Sequence, residues 1–241
     1  ENGSAQRQQT QVTNWVTTNT MNYDSQLWQG SLSAKLGMEA TRTQRHSVSA
    51  SGSNFPNDNI REVSFVAETN RRGTTSRDDK TSLSYFGYLN YVWNDKYAFS
   101  GTLRKNGDSN FGKNVKWGTF GSYGAAWTVS KEEFWKSKVV DFLKLKASYG
   151  TTGNSRFGSD LSKGIYTYSA DYGYGGNTGA IMTTGINEDL RWEKTYMFNT
   201  GIDARIYKKI NVAVEYYNNI TKDLINNALV SMTVGQRAVY R

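Results

Sequence analysis

From Leu83 onward the chain alternates apolar and polar side chains with a period of two, the mark of a strand whose faces meet unlike surroundings. Leu83, Tyr85, Gly87, Leu89, Tyr91 and Trp93 share one face, while Ser84, Phe86, Tyr88 and Asn90 share the other. After a tight Asn94-Asp95 turn, Tyr97, Phe99, Gly101 and Leu103 alternate with Ala98, Ser100, Thr102 and Arg104. The rings of Tyr91, Trp93 and Tyr97 bunch at the strand ends beside the turn. A soluble sandwich more often places its large rings mid-strand.

The same period recurs along the chain. Residues 5–21 read as a polar strand, and residues 30–42 set Leu32, Ala34, Leu36, Met38 and Ala40 against Ser31, Ser33, Lys35, Gly37 and Glu39. Further strands are predicted at 117–129 and 142–150, and in a last hairpin on either side of Lys208-Lys209. There Tyr196, Phe198, Thr200, Ile202, Ala204 and Ile206 share a face with Ile210, Val212, Val214 and Tyr216, opposite Asn199, Asp203, Arg205, Asn211 and Glu215. Lys35 and Glu39 would be costly in a dry core but are at ease in a watery lumen. The pattern Ser130-Lys-Glu-Glu133 predicts one short helix.

Eight strands follow, all up-and-down neighbours, and their connections alternate in length. Short ones fall at 22–29, 94–96, 130–141 and 207–210; long ones at 43–81, 105–116, 151–194 and beyond 222. Short periplasmic turns and longer outer loops are how an outer-membrane barrel is built. The short connections also collect rings, among them Tyr91, Trp93, Tyr97, Trp127 and Trp135, which predicts an aromatic girdle at one membrane interface. The expected fold is therefore an all-β, antiparallel, up-and-down transmembrane β-barrel. Its long loops, and ends that read as cuts, suggest an arc of about eight strands from a larger barrel rather than a closed small one.

Composition leaves this picture standing. The chain has 241 residues, 37% hydrophobic and 14% aromatic, with no cysteine and one proline. No apolar run reaches the roughly 18 residues of a membrane helix, and a barrel needs none. The absence of cysteine removes disulfides and thiol metal sites. The net charge of +8 permits an anionic partner, but the basic residues are scattered, and no nucleic-acid partner is expected.

Candidate chemistry is sparse. Gly107 to Lys113 matches a phosphate-binding loop until Asn114 stands where Ser or Thr would ligate magnesium, and a strand follows instead of a helix. Asn106, Asp108 and Asn110 suggest a calcium loop without its closing glutamate. Turn chemistry accounts for both. His46 is the one histidine, so no triad or multi-histidine metal site can form, and no catalytic residue, metal ligand or cofactor is expected. The stretch IYTYSADYGYGGNTG at 165–179 reads as a loop placing Tyr166, Tyr168, Tyr172 and Tyr174 among small residues. Such composition suits an adaptable recognition surface, and equally rings packed on neighbouring loops.

Several ordered blocks carry a resemblance. The run from SYFGYLNYVWNDKYAFSGTLRKNGDSNFGKN to KEEF at 84–134, FLKLKASYGTTGN at 142–154, NEDLRWEKTYMFNTGID at 187–203 and VAVEYYNNITKDLI at 212–225 resemble SusC/RagA-type TonB-dependent transporters of Bacteroidetes outer membranes. LGMEA at 36–40 and SGSNFPND at 51–58 extend the likeness. Two departures are the sequence RKNGDSN, where the family is usually more basic, and Tyr88, where it usually has Arg. The resemblance implies that residues 1–241 are a middle section of a barrel of about 22 strands, with the plug and TonB box outside it. It further implies import of oligosaccharides or peptides, a SusD-like surface lipoprotein as partner, energy from the TonB–ExbB–ExbD complex, and outer-membrane lipid around the wall. The alternative from the residues alone is a soluble or surface carbohydrate-binding or adhesive β protein without transport.

Overall fold

The computed structural model describes residues 3–57, 59–60, 62–155, 162–175, 177–231, 233 and 238–240. The eight predicted strands are present as β1 (Ser4–Leu27), β2 (Gly30–Ser53), β3 (Arg71–Trp93), β4 (Tyr97–Asp108), β5 (Trp117–Trp127), β6 (Val140–Asn154), β9 (Glu193–Ile206) and β10 (Ile210–Lys222). They form one sheet in the order β1-β2-β3-β4-β5-β6-β9-β10, so each is paired with its neighbour along the chain except where a hairpin intervenes. That hairpin, β7 (Lys163–Tyr174) and β8 (Asn177–Ile186), joins β11 (Asn227–Leu229) and β12 (Ala238–Tyr240) in a second, four-stranded sheet of order β11-β12-β8-β7. The β12–β8 pair is parallel, an exception to the antiparallel expectation.

Three expectations are corrected. The long connection at 43–81 shrinks to 54–70, because β2 runs on to Ser53 and β3 starts at Arg71. These extensions are polar on both faces, with pairs such as Gln6–Ser49 and Gln8–Ser47 across β1 and β2, so no apolar period announced them. The stretch at 165–179 lies mostly in the β7–β8 hairpin and is not an irregular loop. The short helix at Ser130 is a single 3-10 turn, Val129–Lys131, whose N-cap Thr128 makes no side-chain cap bond.

By backbone contacts the chain divides into two units, residues 1–16 with 41–81 and residues 17–40 with 82–241. In the first, Val66 is buried beside Gly52 and Val63. Arg71 fastens the turns there by donating to the carbonyls of Ser64 (2.7 Å) and Val66 (2.5 Å), and Arg42 grips Asp79 with two nitrogens at 3.1 and 2.5 Å.

In the second unit the register carries the sequence faces across the sheet, with one irregularity between Val140 and Phe142 where β6 meets β9. Phe99 lies opposite Ala125, Ala125 opposite Ala147, Ala147 opposite Thr200, and Thr200 opposite Tyr216. One row away, Ser100, Gly124, Ser148 and Asn199 form the corresponding polar line. The polar face is cross-linked by charge. Arg104 donates to Glu39 (3.0 Å) and to Ser84 (2.8 Å) and lies over the Phe86 ring, and Lys146 bridges Asp203 (3.1 Å) and Glu215. Gly37 makes room for this layer, since a Cβ there would stand 2.2 Å from the Phe86 ring. The other face leaves Leu36, Leu89, Phe99, Leu103, Ile202 and Val214 exposed. A sheet that exposes its large apolar side chains on one face and pairs its charges on the other is built for lipid outside and water inside.

Candidate functional site: the short-turn rim, the outer clamp and the tyrosine hairpin

At one end of the sheet the short turns are stitched into a rim by main-chain bonds. The Asn94 amide donates to the Gln29 carbonyl (2.9 Å), Thr128 to Lys96 (2.7 Å) and Tyr207 to Val139 (2.8 Å). Three hairpins turn through two consecutive left-handed residues, Trp28-Gln29, Asn94-Asp95 and Tyr207-Lys208. That geometry matches the right-handed twist of the strands it joins. No glycine occupies any of the six positions.

The predicted girdle residues gather here, though not as one cluster. Trp93 stacks on Tyr97 (5.4 Å between centroids), Tyr97 on Trp127 (6.3 Å), and Phe134 meets Trp127 edge-on (6.4 Å). Tyr91 stands apart and donates its hydroxyl to the Leu27 carbonyl (3.0 Å), while the Trp135 indole donates to Val140 (2.9 Å). The residue that organises the row is Glu132. Its carboxylate accepts from the Tyr97 hydroxyl (2.6 Å), the Lys96 ammonium (2.9 Å) and the Trp127 indole (3.0 Å). Those three donors, led by Tyr97, hold the Glu132 carboxyl down at about 2. Lys96 is raised by its bond to the same carboxylate. The sequence marked Glu132 only as a helix-start charge. Its one local clue is the spacing of an acid five residues after Trp127.

At the opposite ends of β4 and β5 lies a second aromatic centre. Phe111 stacks on Trp192 (4.1 Å), Phe120 meets the same indole edge-on (5.3 Å), and Ile225 packs against the group. The segment 109–116, which resembled ligand-binding loops, is clamped against 187–192. The Gly112 amide donates to Leu190 (3.1 Å), Asn114 Nδ2 to Asp189 (3.1 Å), and Lys113 pairs with Glu188 (2.6 Å). The Asn110 amide donates to the Asp108 carboxylate (3.0 Å), which closes an Asx turn. The lysine and acids that mimicked a phosphate or calcium loop are occupied with the protein's own backbone and side chains.

The tyrosines predicted as a recognition surface lie on β7. Tyr166 is opposite Met182 and Tyr168 opposite Ala180, and Tyr174 begins the turn opposite Asn177. Tyr166, Tyr168 and Tyr174 are exposed, Tyr174 to 94%. The side chain of Tyr172 lies outside the described residues.

Comparison with known proteins agrees with this architecture. The family profile described as TonB dependent receptor-like, beta-barrel, matches residues 1–240. TonB-dependent receptor P39 of Formosa agariphila is 36% identical over 185 residues, covering 75% of this chain and 18% of that protein. TonB-dependent receptor SusC of Bacteroides thetaiotaomicron is 33% identical over 167 residues, covering 66% of this chain and 17% of that one. The chain spans about a fifth of the length of these curated relatives. Among solved structures, the RagAB peptide transporter superposes on all of this chain and 27% of its own with a TM-score of 0.87 at 24% identity. The chain belongs to the TonB-dependent receptor-like β-barrel family of the bacterial outer membrane.

Proposed function

We propose that residues 1–241 form part of the wall and outer connections of a TonB-dependent importer that takes up oligosaccharides or peptides, without catalysis. The carrying observation is the two-faced sheet ending in a stitched rim of short turns, with Arg104, Glu39, Lys146, Asp203 and Glu215 on the inner face. In this reading Tyr91, Trp93, Tyr97, Trp127 and Trp135 sit at the periplasmic interface, where amphipathic rings are favoured. Plug and TonB box belong to the remainder of a barrel of about 22 strands, since barrels of that size are plugged. A SusD-like lipoprotein at the outer opening and the TonB–ExbB–ExbD complex complete the machine; the similarity to SusC and the RagAB fold supports that assignment.

Tyr166, Tyr168, Tyr172 and Tyr174 contact substrate in this reading; Tyr166, Tyr168 and Tyr174 are exposed, and tyrosines on a short hairpin supply stacking faces and hydroxyls to sugar or peptide. The test is uptake. A deletion strain is compared with wild type on a panel of labelled oligosaccharides and peptides, then complemented with Tyr166→Ala/Tyr168→Ala/Tyr174→Ala. Loss of uptake of one substrate class on deletion, with partial loss in the triple variant, is the expected result. Unchanged uptake of every candidate on deletion defeats the importer reading, and full activity of the triple variant defeats the tyrosine site.

A further inference from the structure

On the apolar face, just inside the rim, the cross-strand row Phe99, Ala125, Ala147, Thr200 and Tyr216 has small residues at its centre and rings at its ends. The row nearer the rim is bulky, Tyr97, Trp127, Leu145 and Ile202. The row on the other side is bulky too, Tyr123, Tyr149 and Phe198. The dip between them is an open groove of about 370 Å³. It is lined by Phe99, Ala125, Trp127, Leu145, Ala147 and Thr200 among others.

The rim beside this groove is basic. Lys131, Lys136, Lys138, Lys208 and Lys209 are exposed in the two connections that follow β5 and β9. The carboxylates nearest them in sequence are already used, Glu132 by Lys96 and Asp141 by Arg205. Glu133 is the remaining exposed acid of these connections and Asp95 lies in the neighbouring β3–β4 turn, so five lysines stand against two exposed carboxylates. The strand that lines the groove runs straight into this region, since Trp127 is followed by the 3-10 turn that holds Lys131.

We propose that the groove and the basic rim together hold one phospholipid with an anionic headgroup, its acyl chain lying over Ala125 and Ala147 and its phosphate among the lysines of the 128–139 connection. The proposal rests on the barrel reading above, which puts the short turns at the periplasmic side, where the leaflet is phospholipid rather than lipopolysaccharide. An apolar recess at a water interface with a cluster of unpaired lysines beside it favours an anionic lipid over a zwitterionic one, because each lysine near the surface attracts negative headgroups. Phe134 of the same connection meets Trp127 of the groove edge-on, so the lipid lies beside a contact that already ties the connection to the wall.

The experiment uses the intact outer-membrane protein, reconstituted in nanodiscs of equal parts dioleoyl phosphatidylglycerol and dioleoyl phosphatidylethanolamine, then released into detergent for native mass spectrometry. Heat-modifiable gel migration of each sample reports whether the barrel is folded. The expected result is one retained phosphatidylglycerol, preferred over phosphatidylethanolamine by about tenfold or more. Ala147→Trp, which fills the groove, removes the retained lipid of either kind. The Lys131→Gln/Lys136→Gln/Lys138→Gln variant, confined to exposed turn residues, keeps a folded barrel and brings the preference down to about onefold. Equal retention of the two lipids by wild type, retention of lipopolysaccharide in their place, or a triple variant indistinguishable from wild type overturns the proposal while leaving the barrel intact. A protein that stays soluble without detergent and shows no heat-modifiable form overturns the barrel reading and the lipid site with it.

Discussion

A Cβ on Gly112 would stand 1.8 Å from the carbonyl oxygen of Glu188. Any side chain there must push 109–116 off 187–192 and break the Gly112–Leu190 bond at 3.1 Å. Gly112→Ala is therefore expected to loosen the clamp by about 1–3 kcal/mol, the usual cost of overpacking. The spanning strands should be untouched. Limited proteolysis of the intact protein in detergent reads this directly, with faster cleavage at 109–116 and 187–192 and unchanged heat-modifiable migration. Cleavage rates equal to wild type would show that the clamp does not hold these segments.

Glu132 makes the rim sensitive to acid. Its folded pKa of about 2 lies below the 4.5 of an unperturbed glutamate, so the folded chain binds fewer protons than the unfolded one between those values. The contribution to stability is fully present above about pH 4.5 and is lost as the pH falls toward 2. Thermal unfolding of the intact barrel, followed by heat-modifiable migration at pH 7, 4.5 and 2.5, should show a drop in Tm over that window. Glu132→Gln should lower Tm at pH 7 and flatten the drop. A parallel pair of curves would remove Glu132 from the account.

The spanning part of this fold was legible because its physics is periodic. Leu83 to Leu103 and Tyr196 to Tyr216 state both faces of their strands in a period of two, and the register then matches them without further choice. The rest lacks a period that separates apolar from polar positions so plainly. Strand β7 repeats Tyr166, Tyr168, Ala170, Tyr172 and Tyr174 in a period of two, but its Gly, Ser and Asp give it the composition of a loop, and the added lengths of β2 and β3 are largely polar on both sides. The Phe111–Trp192 stack and the Glu132 node join residues that no local pattern connects, so only the folded sheet brings them together. The segment 109–116 is legible as turn chemistry, but its role as one half of a clamp needs its partner at 187–192.

The rim turns carry backbone strain that one substitution can relieve. Lys208 has φ of 59° after Tyr207 at 51°, and a left-handed residue with a side chain costs about 1–2 kcal/mol. Its amide donates to the Asp141 carboxylate at 2.8 Å, which any residue but proline can do. Lys208→Gly should therefore gain about 0.5–1 kcal/mol, net of glycine's greater chain entropy, and Lys208→Pro should lose about 3 kcal/mol. Chemical unfolding in urea of the reconstituted barrel distinguishes the two directions. A loss in the glycine variant would mean that the lysine side chain itself stabilises the rim.

Leu36 and Ile202 put the two-faced wall itself to the test. Leu36 lies six residues beyond Gly30 and Ile202 four before Ile206, on the face that leaves them 58% and 46% exposed. At about 3.3 Å per residue and a tilt of about 40°, both fall roughly 10–15 Å from the rim, near the middle of an apolar band about 25 Å tall. Leu36→Arg or Ile202→Arg should then cost about 2–4 kcal/mol of barrel stability, measured by unfolding in lipid vesicles. Lys35 stands one residue away on the opposite face, and Lys35→Gln should cost nothing comparable, because its surroundings are already aqueous. The comparison between neighbours removes depth as a variable, so a difference in cost reports the face alone. Equal tolerance of Leu36→Arg and Lys35→Gln would mean that this face does not meet lipid, and the assignment of inside and outside would fail with it.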